Sequence, residues 1–255
     1  MASMIELSNL TKRYGSTVAV DGLNLSVASG EIFGFLGPNG AGKTTTIRMM
    51  MGLLEPTDGR IVLGGHDLHD EPLQAKSLCG FVPDRPHVYD KLTGVELLEF
   101  SADLYQIDAA DKAARRARLL RLFDLEEWCD ELIESYSHGM KQRLVMASAL
   151  MHMPRILIVD EPTVGMDPRG ARLLKQIFRS LAAGGATVFM STHSLEVAEE
   201  LCDRVGIINR GRLIALGSVE DLRQQSGREA HSTLESIFLQ LTGGEEEVAA
   251  DASLG

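Results

Sequence analysis

The sequence is poor in cysteine and has fewer basic than acidic residues. Its three cysteines, Cys79, Cys129 and Cys202, are odd in number and widely spaced. That distribution argues against a disulfide framework or a cysteine metal cluster, and it is typical of a protein in a reducing compartment. The 25 Lys and Arg residues against 36 Asp and Glu give a formal net charge of -11. We therefore expect no nucleic-acid partner, because phosphate contacts require a basic surface.

The sequence also lacks a long hydrophobic run. No uninterrupted apolar stretch approaches the roughly 18 residues that a membrane-spanning helix needs, and the N-terminus has no signal-peptide pattern. We therefore expect a cytoplasmic protein that reaches a membrane only through a partner. With 255 residues, of which 44% are hydrophobic, the chain can bury a full core, and we expect one domain with an insertion.

A glycine-rich loop is the clearest pattern for ligand binding. It follows the apolar run from Ile32 to Leu36 and precedes a helix-like stretch from Thr44 to Met51. Its residues are Gly37, Pro38, Asn39, Gly40, Ala41, Gly42, Lys43, Thr44 and Thr45. Glycines let successive backbone N-H groups turn towards an anion, and the positive end of the following helix adds to the attraction. The order of strand, loop and helix predicts a phosphate-binding loop.

A nucleoside triphosphate with Mg2+ is the ligand that such a loop favours. We expect Lys43 to reach the terminal phosphates as a mobile point charge. We expect the Thr44 hydroxyl to ligate the magnesium ion that bridges those phosphates.

Two carboxylates and a histidine follow later apolar runs. Asp160 and Glu161 end the run from Arg155 to Val159, which lacks alternation and is typical of a central parallel strand. One carboxylate can hold magnesium while the next orients an attacking water. His193 follows a second strand-like run that begins at Thr187. Because parallel strands present their carboxyl ends at one edge of a sheet, we expect His193 near the same site.

The rest of the chain divides into a β-rich part and a helical part. Three short strands are predicted before the glycine loop, from Met4 to Leu10, Leu23 to Val27 and Ile32 to Leu36. Tyr14, between the first two, either stacks on a purine or packs in a turn. A proline-pinned loop from Phe81 to Pro86 then leads into helices. The first of these is predicted by a capping box at Thr93.

A helix from Asp108 to Leu125 is predicted next, and its basic residues favour a solvated face over a nucleic-acid patch. We expect the helical insertion to end near residue 153. A hairpin is predicted from Val205 to Gly217. A helix beyond Glu220 and a short amphipathic stretch from Leu234 to Leu241 are predicted after it, and the last dozen residues should be disordered.

With these motifs the sequence resembles the ATP-binding subunit of ABC transporters. The resemblance covers residues 4 to about 242 of this chain. The glycine loop resembles the Walker A motif, and residues 156–163, ILIVDEPT, resemble Walker B with its following glutamate. Residues 135–144, SYSHGMKQRL, resemble the signature segment that separates this family from other P-loop proteins. The resemblance extends to an adenine-stacking Tyr14, a D-loop aspartate at Asp167 and a switch histidine at His193.

The resemblance implies an α/β fold, with a RecA-like P-loop NTPase core, an antiparallel β subdomain and a helical insertion of the ABC ATPase type. The implied ranges are 1–85 and 154–226 for the ATP-binding core, 86–153 for the helical signature subdomain, and 227–255 for a C-terminal helix and acidic tail. Catalysis is implied for Glu161, His193 and Lys43.

Two departures from the family pattern affect the implied site. Around Tyr136 to Met140 the usual leucine-serine-glycine-glycine-glutamine is reduced to its serine, Ser137, and its last glycine, Gly139. Those two residues would contact the γ-phosphate of ATP held by another subunit. Asp84 replaces the Q-loop glutamine, so an acidic group would join Thr44 and Asp160 around the metal. Both departures resemble the ABC-2 export branch.

The resemblance also implies partners. We expect a head-to-tail homodimer or heterodimer of ATPase subunits that encloses two ATP molecules. We further expect a multi-spanning permease that holds the protein on the inner face of the cell membrane and selects the cargo. The alternative is a soluble ABC ATPase without a transporter, such as an iron-sulfur assembly component. A chromosome-type ATPase is disfavoured because the sequence has no long heptad run.

Overall fold

Two β-sheets form the framework of the chain. The computed structural model describes residues 3–162, 168–225 and 234–242. Within these ranges an antiparallel sheet has the strand order β2-β1-β4-β5. Its strands are β1 Ser3–Tyr14, β2 Thr17–Ala28, β4 Asp58–Leu63 and β5 His66–Asp67.

The second sheet positions the functional residues. Its order is β10-β9-β3-β8-β7-β6, with β10 antiparallel to β9 and all other neighbours parallel. The strands are β3 Ile32–Leu36, β6 Cys79–Val82, β7 Ile156–Asp160, β8 Thr187–Thr192, β9 Arg204–Asn209 and β10 Arg212–Gly217. Every residue of β3, β7 and β8 is buried, as a parallel sheet covered on both faces requires. The carboxyl ends of these three strands therefore meet at one edge.

Helices cover the sheets and build a separate apolar cluster. They are α1 Lys43–Met50, α2 Pro72–Ser77, α3 Gly94–Leu104, α4 Ala109–Leu122, α5 His138–Leu150, α6 Pro168–Ala183, α7 Leu195–Leu201, α8 Val219–Gln225 and α9 Leu234–Thr242, with 3-10 turns at Glu126–Trp128 and Ile133–Ser135. Leu98 of α3, Leu120 of α4 and Leu144 of α5 are buried in one cluster with residues of α6 and β7. A second cluster lies between the two sheets around Phe33, Phe35 and Phe189. None of the helices in the described ranges has the length and apolar character needed to cross a bilayer.

Several predicted boundaries are confirmed and several are wrong. The capping box at Thr93 is present, since its hydroxyl accepts from Glu96 N at 3.1 Å and its N-H donates to Glu96 Oε2 at 2.8 Å. Strands β1 and β2 run on to Tyr14 and from Thr17, beyond the predicted ends, because cross-strand backbone pairing continues past the apolar pattern.

The loop predicted from Phe81 begins only after Val82. Residues Cys79–Val82 form the edge strand β6, which pairs with β7 in parallel. Helix α4 ends at Leu122, before the predicted Leu125. The predicted D-loop residue Asp167 and the predicted disorder of the last dozen residues lie outside the described residues.

His152, which follows α5, gives the fold a predictable response to acid. Its Nε2 donates to the Cys79 carbonyl at 3.1 Å, and its ring stacks on Tyr105 with the centroids 3.6 Å apart. Burial lowers the pKa of His152 to about 4, with Arg115 as a further cause. In the unfolded chain the histidine pKa is about 6.5, so the unfolded chain binds more protons than the folded chain as the pH falls. The neutral His152 side chain contributes its full stabilisation above the pKa it has in the unfolded chain. This stabilisation is lost as the pH falls towards the pKa it has in the folded chain.

We therefore expect His152→Gln to flatten the decrease of stability between pH about 6.5 and about 4. Urea unfolding at several pH values would measure this slope for the variant and the wild type. Replacing the exposed His87 by Gln is the matched control for a change from His to Gln. Parallel slopes for His152→Gln and the wild type would contradict the assignment.

Candidate functional site

The glycine loop lies between β3 and α1 and is held against the last hairpin. Ala41 N donates to the Pro38 carbonyl at 3.1 Å, and Gly211 N donates to the Ala41 carbonyl at 2.9 Å. Gly42 is the N-cap of α1, and no side chain caps that end. The first N-H groups of α1 therefore have no capping acceptor and can bind an anion.

Lys43 lies beneath this loop as a buried cation. Its ammonium donates to the Gly37 carbonyl at 2.6 Å and to the Pro38 carbonyl at 3.4 Å. It also lies 3.7 Å from Glu161 Oε1. The side chain is only 7% exposed, so its charge is screened little by water. A cation is thus fixed at the place where phosphates would approach the loop.

Asp160 ends β7 as a buried carboxyl with two hydroxyl partners. Ser191 Oγ donates to Asp160 Oδ1, and the Thr44 hydroxyl is also hydrogen-bonded to this carboxyl. Burial raises the pKa of Asp160, the two hydroxyl groups oppose that shift, and the negative charges of Asp84 and Glu161 add to it. A buried oxygen ligand surrounded by further negative charge is suited to a hard divalent cation such as Mg2+.

The Glu161 carboxylate lies between the Lys43 ammonium and the His193 ring. Its Oε2 is 2.8 Å from His193 Nδ1 and accepts from His193 N at 3.3 Å, while its Oε1 faces Lys43. Its backbone has a φ of 53°, an uncommon conformation for a residue other than glycine. The N-H donates to the Ser191 carbonyl at 3.1 Å, which holds the backbone in this conformation. The carboxylate is thereby directed to the sheet edge next to the phosphate loop.

Ser191 also belongs to the site, although it was not among the predicted site residues. It is the register partner of Asp160 across β7 and β8 and contacts both carboxylate residues. The parallel ends of two adjacent strands could have indicated it, since Asp160 directly precedes Glu161 and Ser191 lies two residues before His193. Because a serine at the end of a buried strand is common, no sequence pattern singled out Ser191.

Two further predicted site residues, Tyr14 and Asp84, are exposed. Tyr14 is 50% exposed at the turn between β1 and β2, with Lys12 Nζ 5.4 Å from its ring centroid. Asp84 is exposed in the loop after β6 and is close enough to influence the pKa of Asp160.

Ser137 and Gly139 begin α5, where Ser137 Oγ accepts from Met140 N at 3.3 Å. Ser137 is exposed, and a Cβ placed on Gly139 would meet nothing within 4 Å. Both residues therefore face open space, and the described contacts do not join them to the glycine loop of the same chain.

Gly42 is a loop position where both the backbone conformation and the surrounding space exclude a side chain. Its φ is 111°, and a Cβ there would lie 2.6 Å from the Ala19 carbonyl oxygen. We expect Gly42→Ala to lower the free energy of unfolding by about 1 to 3 kcal/mol and to weaken nucleotide binding strongly. Thermal unfolding with and without nucleotide would measure both effects. Gly40→Ala is the control for steric clash, because a Cβ at Gly40 would have no atom within 4 Å. Equal losses of unfolding free energy in both variants would contradict the clash at Gly42.

Comparison with known proteins gives a consistent result. The family described as ABC transporter matches residues 20–164. The linearmycin resistance ATP-binding protein LnrL of Bacillus subtilis is 41% identical over 88% of this chain and 72% of its own length. The Nod factor export ATP-binding protein I of Cupriavidus metallidurans is 38% identical over 87% of this chain and 73% of its own.

Two solved structures that this chain resembles are also ATP-binding proteins of ABC transporters. A structure described as the ATP-binding subunit of an ABC transporter has a TM-score of 0.89 and 33% identity, over 93% of this chain and 99% of that chain. A dimeric post-hydrolysis state of the ATP-binding cassette MJ0796, bound to ADP and Pi, has a TM-score of 0.75 and 25% identity, over 84% of this chain and 98% of that chain.

Proposed function

Since the chain belongs to the ABC transporter family, we propose that it binds and hydrolyses ATP to drive export of a substrate through a separate membrane permease. The observation that carries this proposal is the position of Glu161, 3.7 Å from the Lys43 ammonium and 2.8 Å from His193 Nδ1. A general base, a phosphate-binding cation and a second polar group thus meet beside one anion-binding loop. The names of the relatives, which refer to linearmycin resistance and Nod factor export, favour transport over the soluble iron-sulfur alternative.

The phosphates of ATP would bind along the loop from Gly37 to Thr45. Its backbone N-H groups and the start of α1 supply the donors, and Lys43 exchanges the Gly37 carbonyl for a terminal phosphate oxygen. Tyr14 has half of its surface free to stack on the adenine. The nucleotide therefore contacts both sheets.

Mg2+ fits the oxygen groups beside the phosphate loop. Thr44 and Asp160 would hold it, with Asp84 reaching it through water, and the buried Asp160 carboxyl would then gain a counter-ion. When bound, Mg2+ neutralises charge on the β- and γ-phosphates. Ser191 keeps the Asp160 carboxyl in position through its hydrogen bond to Oδ1.

Hydrolysis would proceed by attack of a water oxygen on the γ-phosphorus. The bond from that phosphorus to the ADP oxygen breaks, and ADP and phosphate are released. Glu161 would orient the water and accept its proton, while His193 would hold the γ-phosphate. The hydrogen bond from His193 N to Glu161 Oε2 at 3.3 Å keeps the carboxylate at the sheet edge.

A second subunit would complete the site. Because Ser137 and Gly139 face open space at the start of α5, they can contact the γ-phosphate of ATP bound to another subunit. A head-to-tail pair would then enclose two ATP molecules, and closure would supply the last donors for hydrolysis. The dimeric MJ0796 cassette with ADP and Pi supports this arrangement.

The exposed aromatic surface formed by Tyr89, in the loop before α3, and Phe100 on α3 is the proposed contact with the permease. Tyr89 is 64% exposed, and its ring meets the half-exposed Phe100 edge-on, with centroids 6.1 Å apart. Leu104, at the end of α3, is 67% exposed. Val88, by contrast, packs against the apolar core, so it serves the fold. Exposed aromatic anchors of this kind commonly carry most of an interface's binding energy.

We expect Tyr89→Ala combined with Phe100→Ala to weaken permease binding by a few kcal/mol while ATP affinity of the isolated subunit stays unchanged. Sedimentation with membranes that contain the permease, followed by identification of the co-purified spanning protein, would measure this. Leu73→Ala, which is 80% exposed on α2, is the matched control. Undiminished sedimentation and transport in the double variant would contradict the docking surface. If the wild type brings down no multi-spanning protein that stimulates its ATP hydrolysis, the transport proposal itself is wrong.

A further inference from the structure

A groove of about 1050 Å3 lies between α4, the segment from Leu150 to Arg155, and α6. It is at the edge of the sheet opposite to the proposed nucleotide site, because Arg155 and Ala186 precede β7 and β8. Its floor is apolar and includes Leu119, Leu122, Met153, Ile177 and Leu181. Met153 is 63% exposed and Leu122 is 38% exposed. Apolar surface is thus left uncovered within the described part of the chain.

Four arginines surround this floor, and among the described residues no carboxylate lines it. They are Arg115, Arg118, Arg121 and Arg155. Arg115 is paired with Asp111 at 2.7 Å and Arg121 with Glu126 at 3.3 Å. Arg118 and Arg155 are exposed and have no ion pair in the ranges that the structure describes. The groove therefore presents free positive charge above an apolar floor, in a chain whose formal net charge is -11.

We propose that this groove binds the chain's own acidic segment from Gly243 to Leu254, of sequence GGEEEVAADASL. The segment carries acidic groups at Glu245, Glu246, Glu247 and Asp251, which complement the arginines. Val248 and Leu254 supply apolar side chains for the floor. An acidic segment with interspersed apolar residues is thus complementary to the groove in both charge and hydrophobicity.

The segment can reach the groove from the end of α9 at Thr242. Helix α9 packs on α7, and α7 is joined to α6 by ion pairs of Glu200 with Lys175 and Arg179. The groove lies along another face of α6. Since packed helices lie about 10 Å apart, the two steps from α9 to α7 and from α7 to α6 amount to about 20 Å. Twelve residues span up to about 40 Å when extended.

A bound segment would connect two parts of the chain. One wall of the groove is α4, which belongs to the helices between β6 and β7, and the opposite wall is α6, which follows β7. The acidic segment would thus hold these helices against the rest of the chain, at a distance from the residues proposed for hydrolysis.

Disulfide trapping in the full-length chain tests the proposal. Ser180→Cys, in the groove, is combined with Ser253→Cys. Arg172→Cys, on the same helix but outside the groove, replaces Ser180→Cys as the control. Burial raises the pKa of Cys79 and Cys202 to about 12, which disfavours their reactive thiolate forms at neutral pH, and Cys129 is replaced by Ser. We expect trapping within one chain about tenfold faster at Ser180→Cys, because docking raises the local thiol concentration.

Charge variants complete the test. Arg118→Glu with Arg155→Glu should slow trapping to the control rate, and Glu245→Lys, Glu246→Lys and Glu247→Lys should restore it in the same chain. Equal trapping rates at Ser180→Cys and Arg172→Cys would overturn the proposal. A trapping rate that stays the same in the charge variants would also overturn it. Disulfides that link two chains would assign the groove to a second copy instead. Binding of phosphatidylglycerol vesicles through Arg118 and Arg155, without trapping, would assign it to a membrane surface.

Discussion

Replacing Glu161 by Gln is expected to lower steady-state ATP hydrolysis by about 100-fold or more while ATP still binds. The amide has nearly the shape of the carboxylate and can still accept from His193 N, but it cannot take a proton from water. The 3.7 Å contact with Lys43 would lose its ionic character, which leaves the ammonium free for phosphate. Turnover assays and equilibrium binding of ATP would separate the two effects.

Two controls make this result specific. Glu71→Gln changes a carboxylate that pairs with His66 away from the site, and it should leave turnover unchanged. His193→Ala should lower turnover as well, because it removes the group proposed to hold the γ-phosphate. Near wild-type hydrolysis by Glu161→Gln would show that Glu161 is not the base.

The second large effect is expected on assembly. In the Glu161→Gln background, ATP should drive monomers into a closed pair, since bound ATP is no longer consumed. Ser137→Arg should abolish that association, because it places bulk and charge at an exposed helix start that would face the γ-phosphate of another subunit. Light scattering would report the molecular mass with and without ATP and Mg2+.

The Ser137 hydroxyl also caps α5, so a loss of association needs a control for helix stability. Ser137→Ala removes the cap, which costs about 1 kcal/mol, without adding bulk. Ser135→Arg places the same charge at an exposed neighbouring position. If Ser137→Arg still associates, or if the Glu161→Gln chain shows no ATP-dependent change of mass, the proposed sandwich is wrong.

The sequence by itself determined the family, the fold class and the class of activity. The glycine loop, the strand ending in Asp160 and Glu161, and the segment around Ser137 are local patterns, and the ABC transporter family and its ATP-binding function are confirmed. Local patterns of this kind are readable because a phosphate loop is made by consecutive residues. Its backbone conformation depends on glycines at fixed spacing and not on distant contacts.

Only the tertiary structure decided how distant residues combine. The hydrogen bonds of Ser191 to Asp160 and to Glu161 N depend on the register of β7 against β8, which no single segment specifies. The contact between Lys43 and Glu161 joins the first residue of α1 to the residue that follows β7, and these two are far apart in the sequence. The groove with Arg118 and Arg155 on its rim exists because α4 and α6, which are far apart in the sequence, face each other across the segment from Leu150 to Arg155. Such features depend on packing between segments, and local sequence patterns carry little information about it.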